Sequence, residues 1–194
     1  MRKTLRKKAV RDSAATYASL LDAAEIEFNT RGFDGTDSNR IARAAGFAPQ
    51  TFYRHFEDKR AAFLAVYERW WKGEVAALQK AGGGELPGGE AAARVALAFH
   101  TKWRGFRRAL RHLAIVDPRV RAARTAARRS QIARIGELTP QVTRSDGELA
   151  AALLKTERLC DAVAEGELAD LGISPNSAKA LVRAAIKELL GSSS

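Results

Sequence analysis

The sequence has too little cysteine for a disulfide and no apolar stretch long enough for a membrane span. Cys160 is the only cysteine among 194 residues, so neither an intramolecular disulfide nor a cysteine-rich zinc site can form. No window holds the roughly 18 uncharged apolar residues of a membrane-spanning helix, and no signal-peptide stretch follows the basic start. These absences predict a cytoplasmic protein with no membrane partner.

Catalytic motifs are also missing. The chain has three histidines and contains no G-x-S-x-G, H-E-x-x-H, P-loop or G-x-G-x-x-G pattern. His100 and His112 are separated by arginines, which disfavours a metal between them. We therefore expect no enzyme activity, no metal and no cofactor.

The sequence is rich in helix-forming residues and in positive charge. Hydrophobic residues make up 46% of it, and its few glycines and prolines cluster in short stretches, which favours helices over strands. The net charge is +11. Such an excess favours an acidic partner, most commonly nucleic acid, although a basic surface that only keeps the protein soluble is the alternative.

Apolar spacing predicts an all-helical chain. The first helix has one stripe at a 3.6-residue period, formed by Tyr17, Leu20, Leu21, Ala24 and Phe28. Gly32 should end this helix, and Thr36 should cap the next. Asp58 should cap a long helix to about residue 80, and 81–89 should be a loop. Further helices are predicted at about 90–115, from Asp117-Pro118 to Thr139-Pro140, from Ser145 or Asp146 to Leu171, and from Ser174-Pro175 onward.

Two short helices follow each other closely, at about 36–45 and 49–56. Ile41, Ala42 and Ala45 share a face of the first, and Phe52 and Phe56 share a face of the second. Helices held crosswise by such a small core form a helix-turn-helix. The second helix leaves a donor-rich surface: Gln50, Thr51, Tyr53, Arg54 and His55. Its size and chemistry suit the major groove of DNA.

At these residues the sequence resembles the TetR family of transcriptional regulators. The matching motifs are Phe28, Gly32, Phe33 and Thr36, then Ile41 to Gly46, then Thr51, Tyr53, His55, Phe56 and Lys59. The resemblance implies that Thr51, Tyr53, His55 and Lys59 hold phosphates and that Pro49, Gln50 and Arg54 meet bases. Thr36 completes the predicted DNA-binding set. One position departs from the family, since Ala48 stands where a serine usually caps the second helix.

The resemblance also implies a division of the chain. We expect a basic flexible arm at 1–11, a three-helix DNA-binding head with the helix-turn-helix at 12–57, and a larger helical ligand-binding and dimerisation domain at 58–194. The arm is either a solubilising tail or a DNA-tracking segment. The function implied is a homodimeric regulator, a repressor rather than an activator, that a small-molecule effector releases from its double-stranded DNA operator. A non-sequence-specific scaffold that coats DNA or membranes is the alternative.

The larger domain offers candidate effector contacts. The resemblance places a pocket among Trp71, Phe99, His100, Trp103, Phe106 and Cys160, and ordinary core packing is the alternative for each. Residues 102–134 carry 11 basic side chains and one acidic one. Among them, Arg104, Arg107, Arg108 and Arg111 share one helix face. That face is expected to point to solvent, with an anionic effector or an added DNA contact as the two alternatives.

Overall fold

The computed structural model describes residues 2–83, 87–139 and 143–191, with side chains from residue 12 onward, and every regular element in this part is a helix. The longer helices are α1 (Arg2–Arg31), α4 (Lys59–Ala81), α5 (Gly89–Lys102), α6 (Arg104–Val116), α7 (Pro118–Leu138), α8 (Asp146–Glu165) and α10 (Pro175–Leu190). The short ones are α2 (Ser38–Ala44), α3 (Pro49–Tyr53) and α9 (Glu167–Asp170). The all-helical prediction is confirmed. None of the described helices is long and apolar enough to cross a membrane.

The chain forms two compact units, residues 1–69 and residues 70–194, and the boundary falls within α4. In the first unit, aromatic rings join α1 to the start of α4. The Phe28 ring lies edge-on to the Phe63 ring at 5.1 Å, and Phe33 contacts both of them. Such edge-to-face pairs stabilise a small core beyond the apolar area that they bury.

In the second unit, α5, α8 and α10 pack on one another, while α6 and α7 pair and both contact α8. One apolar cluster joins α5, α8 and α10 through Ala92, Ala93, Cys160, Val182 and Ile186. Another joins α7, α8 and α10 through Ile135, Leu149, Ala152, Leu153 and Leu189. The stripe predicted at 178–189 is therefore largely used within the chain, although Leu181 stays exposed.

Several predicted helix ends are confirmed by capping geometry. Gly32 has a φ of +71° just after α1. Asp58 accepts a hydrogen bond from the Ala61 N–H, Asp117 caps α7, and Ser145 forms a capping box with Glu148 at the start of α8. These interactions satisfy backbone groups that a helix leaves without partners.

Other predicted boundaries were wrong. Residues 2–11, expected as a flexible arm, are helical and begin α1, which agrees with their lack of glycine and proline. The helix predicted at 90–115 is interrupted at Trp103, two residues before Gly105. The Trp103 side chain is buried, and its ring contacts the Phe106 ring. The helix predicted to reach Leu171 ends at Gly166, which has a φ of +86°. Residues 84–86 of the predicted loop, and Pro140, lie outside the described residues.

Candidate functional site

The two short helices of the first unit form the predicted helix-turn-helix. Ile41 and Ala42 of α2 and Phe52 of α3 are completely buried, and the Phe47 N–H in the turn donates to the Ala42 carbonyl at 2.9 Å. The Phe56 ring, just after α3, lies 5.3 Å from the Phe52 ring. This small core fixes α3 by one side only, so its other side faces outward.

That outer side carries the predicted polar groups. Gln50 and Arg54 are exposed, and 58% of Tyr53 is exposed although its ring meets the Phe52 ring edge-on. Pro49 and Thr51 are half-buried. The helix is shorter than predicted, because Arg54 is its C-cap and His55 lies beyond it, 6.2 Å from the Tyr17 ring. The exposed donors suit base edges and phosphates.

Thr36 and Lys59 face inward, toward the connection between α1 and α2. Thr36 is only 4% exposed, and its hydroxyl donates to the Glu27 carboxylate at 3.1 Å. Lys59 Nζ donates to the carbonyls of Phe33 at 2.7 Å and Thr36 at 3.0 Å, and it lies over the Phe33 ring. The structure therefore gives Lys59 a positioning role that the sequence did not suggest.

The start of α2 corrects the predicted cap. Asp37, not Thr36, is the N-cap, and its carboxylate accepts a hydrogen bond from the Arg40 N–H at 2.8 Å. That hydrogen bond holds the pKa of Asp37 below its ordinary value. The burial of Thr36 explains the difference, because its hydroxyl is already directed at Glu27.

Residues 20–66 match the family model described as bacterial regulatory proteins of the tetR family. This match spans the end of α1, the helix-turn-helix and the start of α4. Residues 20–66 therefore belong to the TetR family of DNA-binding regulators. Proteins of this family are non-enzymatic and bind DNA. No curated protein matches the chain.

Solved structures share the fold of this chain. A transcriptional regulator from Rhodococcus sp. Rha1 is 15% identical, with a TM-score of 0.68 over 90% of this chain and 96% of that one. A TetR-family regulator from Marinobacter aquaeolei is 17% identical, with a TM-score of 0.65 over 93% and 97%. The fatty acid degradation regulator FadR from Bacillus halodurans is 16% identical, with a TM-score of 0.63 over 91% and 95%.

The second unit brings some of the predicted pocket residues into its core. His100, Trp103, Phe106 and Cys160 are buried. The remaining two, Trp71 and Phe99, are half-buried, and Phe99 lies over Gly73. Burial first, and the charge of Glu74 second, raise the pKa of the Cys160 thiol to about 12, so the thiol is protonated at neutral pH. Whether the six form an effector pocket stays a prediction.

Buried charges surround His100. Asp161 of α8 accepts hydrogen bonds from His100 Nδ1 at 2.8 Å and from Arg107 Nε and Nη2 at 2.9 and 3.0 Å. The Arg107 guanidinium also lies 4.7 Å from the Trp70 ring centre. Burial alone would raise the pKa of Asp161, but the His100 and Arg107 hydrogen bonds hold it well below its ordinary value. Asp161 is therefore an anion that orders both neighbours.

The predicted solvent-facing arginines divide into two pairs. Arg107 is only 2% exposed, and the half-buried Arg111 pairs with Asp161 and Glu165, so the prediction was wrong for both. Arg104 and Arg108 are exposed as expected. The reason is a complementary row of acids on α8. Glu157, Asp161 and Glu165 recur every four residues and face the inward arginines.

Glu157 and its partners extend the same network to α7. Arg124 and Arg128 donate to Glu157 at 3.1 and 2.5 Å. Burial opposes ionisation of Glu157, yet these arginines and Arg107 lower its pKa to about 2. The sequence contained a usable signal for this network, since the arginine pairs 107/111 and 124/128 have the same four-residue spacing as the acids.

Glu74 also faces His100, but no arginine or lysine among the described residues forms an ion pair with it. It is 7% exposed, and among the described residues its Oε1 lies 3.8 Å from His100 Nε2. That distance is too long for a hydrogen bond. Burial, only partly offset by Arg107, raises the pKa of Glu74 to about 7. Burial, followed by the charge of Arg107, lowers the pKa of His100. Sequence reasoning selected His100 and missed Glu74.

Proposed function

We propose that this regulator binds a specific DNA operator as a homodimer, represses transcription, and leaves the operator when a small molecule binds its second unit. The supporting observation is the outer side of α3, where Gln50, Tyr53 and Arg54 are exposed above a buried aromatic core. A helix held in this way presents rigid donors to the major groove. This proposal places the protein in the cytoplasm, with the DNA.

The α3 side chains divide by chemistry into two roles. Gln50 and Arg54 have the paired donors and acceptors that discriminate base edges, while Tyr53 and Thr51 have hydroxyls that suit phosphates. His55 and Pro49 flank these groups at the two ends of α3. Thr36 and Lys59 contribute by holding α2 and α4 in register, through the contacts with Glu27 and the α1–α2 connection.

A homodimer is supported by exposed apolar residues on α8 and α10. Leu154 and Leu181 are each 46% exposed, on two helices that already pack together within the chain. A second copy that covers these leucines would pair two α3 helices on successive DNA turns. Light scattering should report a dimer for the native protein, and a monomer for the double variant Leu154→Asp/Leu181→Asp.

The test of DNA recognition starts from random-sequence selection, followed by fluorescence anisotropy on the selected DNA and on a scrambled version at physiological salt. We expect tighter binding to the selected DNA by about a thousandfold or more. Gln50→Ala and Arg54→Ala should each reduce discrimination at one base position by about 1–3 kcal/mol. Arg94→Ala, an exposed arginine on α5, is the matched control and should leave discrimination unchanged.

A different result would favour the scaffold alternative. If selection finds no preferred sequence, and if binding depends steeply on salt for every DNA, the protein coats DNA through its net charge. Tyr53→Phe separates the roles further, because loss of a phosphate contact should weaken binding to all sequences by a similar factor. A change in base preference in that variant would contradict the assignment.

Release by a small molecule requires a difference between two states. A ligand changes operator affinity only if it binds the DNA-competent arrangement and the other arrangement with different affinities. The buried polar groups of the second unit support a ligand site there. The expectation of an anionic ligand is not carried forward, because Arg107 and Arg111 are already paired with Asp161 and Glu165.

A further inference from the structure

Glu74 and His100 lie in the second unit with hydrogen-bonding capacity that the described chain does not use. His100 donates through Nδ1 to the Asp161 carboxylate, which is an anion. The Nδ1 proton fixes the neutral tautomer, so the lone pair of Nε2 is an acceptor directed at Glu74. Glu74, on its side, has a carboxyl group with no cation within hydrogen-bond reach.

The distance between these two groups allows one atom to form hydrogen bonds with both. Oε1 of Glu74 and Nε2 of His100 are 3.8 Å apart. One oxygen at about 2.8 Å from each would complete a hydrogen bond with both. That oxygen must donate to Nε2, and it can accept from a protonated carboxyl group. A hydroxyl group has this combination of donor and acceptor.

The electrostatic surroundings favour a neutral group between them. Asp161 takes both hydrogen bonds of Arg107, and Glu157 takes those of Arg124 and Arg128. A buried anionic head group would therefore find no unpaired arginine in this cluster. A cationic one could pair with the Glu74 carboxylate, but it would lie beside Arg107, whose positive charge acts on both Glu74 and His100 and opposes it. An anion would lose its hydration without a free partner, and a cation would pair with Glu74 only against this repulsion.

Aromatic and apolar side chains also lie near the pair, beside the buried charges of Arg107 and Asp161. Trp70 is buried with its ring 6.0 Å from the His100 ring, and Cys160 is completely buried with a protonated thiol. Phe99 lies against Gly73, the neighbour of Glu74 on α4, where an added Cβ would come within 3.4 Å of its ring. Aromatic walls around a few fixed polar groups are typical of sites for small molecules.

We propose that Glu74 and His100 form the recognition point for a neutral effector, an apolar molecule whose hydroxyl group bridges the Glu74 carboxyl group and His100 Nε2. This inference rests on the proposed function, since it assigns a chemical class to the small molecule that releases the operator. It replaces the anionic class that the sequence suggested with a neutral one.

The test uses three probes that share one ring and differ in charge, namely benzyl alcohol, benzoate and benzylamine. Imidazole 15N NMR of the full chain at pH 7 detects them, with the exposed His112 and the half-buried His55 as internal references. We expect benzyl alcohol to shift the His100 Nε2 resonance saturably, and benzoate and benzylamine to bind at least tenfold more weakly. His55 and His112 should not move.

Two substitutions locate the effect at Glu74. Glu74→Leu should weaken benzyl alcohol binding at least tenfold, because it removes one of the two hydrogen bonds. Glu74→Gln should keep binding within threefold, since an amide group also donates and accepts. Gln79→Leu, which changes an exposed residue of the same helix, is the matched control and should have no effect.

Four results would overturn the inference. They are equal binding of all three probes, unchanged binding in Glu74→Leu, no shift of His100 with any probe (a bridging water only), and binding at His100 that leaves operator affinity unchanged. The DNA measurement on the same samples separates this inference from the proposed function. Absence of sequence-specific binding without any probe would refute the regulator proposal itself, whatever His100 reports.

Discussion

The two units of this regulator place arginine in opposite environments. Arg54 of the first unit is exposed at the end of α3, above an aromatic core that leaves it available to DNA. Arg107 of the second unit is buried, bound by both oxygens of Asp161 and stacked near Trp70. The comparison indicates that a carboxylate facing it from another helix allows an arginine to become part of a core.

The largest effect is expected from a substitution that breaks the buried pair of Arg107 and Asp161. Asp161→Asn removes the carboxylate that accepts both hydrogen bonds of the buried Arg107, so we expect the free energy of unfolding to fall by about 3–5 kcal/mol. Urea denaturation at pH 7 measures it. Arg54→Ala is the comparison in the first unit and should change stability by less than about 0.5 kcal/mol.

A double variant identifies the cause of that loss. Arg107→Met/Asp161→Leu removes both charges and fills the space with apolar groups, so most of the lost stability should return. If the double variant is as unstable as Asp161→Asn, the loss comes from packing or from His100 rather than from an unpaired guanidinium. The distinction between the two units would then not depend on charge pairing.

The next effect is a loss of stability as pH rises through neutrality, which Glu74 should cause in the second unit. The pKa of Glu74 is raised from 4.5 to about 7, so its contribution to stability is complete below pH 4.5 and is lost as pH rises through 7. Glu74→Gln stays neutral throughout. It should exceed the native protein in unfolding free energy by up to about 3 kcal/mol at pH 8 and match it near pH 4.5.

Urea denaturation at pH 4.5, 6 and 8 tests this. An advantage of Glu74→Gln that is the same at every pH would show that the amide packs better and that Glu74 does not titrate near neutrality. Glu137→Gln, an exposed acid on α7, is the matched control and should show no pH-dependent difference from the native protein.

A smaller effect tests the role of Lys59 in the first unit. Lys59→Met removes two hydrogen bonds to the carbonyls of Phe33 and Thr36, which should cost about 1–2 kcal/mol of stability. If Lys59 positions α4 and does not neutralise a phosphate, the salt dependence of DNA binding keeps its slope. Loss of a phosphate contact would instead reduce the slope by about 0.9.

Lys80→Met, a change at an exposed lysine near the end of the same helix, controls for the loss of one positive charge. It should alter neither stability nor slope. A reduced slope in Lys59→Met alone would restore the phosphate role that the family resemblance implied.

The helix-turn-helix was predictable because its signals are local. Gly32 and Gly46 mark turns, and the apolar positions Ile41, Phe52 and Phe56 lie within sixteen residues of one another. The details that failed were also local but depended on a competing partner. Thr36 was a plausible cap, but its hydroxyl donates to Glu27, nine residues earlier, and Asp37 caps the helix instead.

The buried network was not predicted because its partners are far apart in the sequence. Arg107 and Asp161 are separated by 54 residues, and one helical period cannot tell a solvated face from one that meets an acidic face. Matching four-residue spacings of acids on α8 and arginines on α6 and α7 contained that information. Reading them required knowing that α6 and α7 both contact α8, which only the structure provides.

The smallest effect concerns caps, where the two units offer a matched pair. Ala48 precedes Pro49 at the start of α3 with φ −68° and ψ 150°, and it makes no side-chain cap hydrogen bond. Ser174 precedes Pro175 at the start of α10 with φ −63° and ψ 151°, and its hydroxyl accepts from the Ser177 N–H at 3.2 Å. The backbone is therefore ready for a cap at both positions, and only Ser174 provides one.

Exchanging the two residues tests this equivalence. Ala48→Ser should gain about 0.5–1 kcal/mol in unfolding free energy, and Ser174→Ala should lose a similar amount, as thermal and urea denaturation would measure. A gain at position 48 with unchanged DNA discrimination would mean that the missing cap is a stability defect only. A gain with weaker DNA binding would mean that an uncapped α3, free to adjust its first turn, is part of how this head fits its operator.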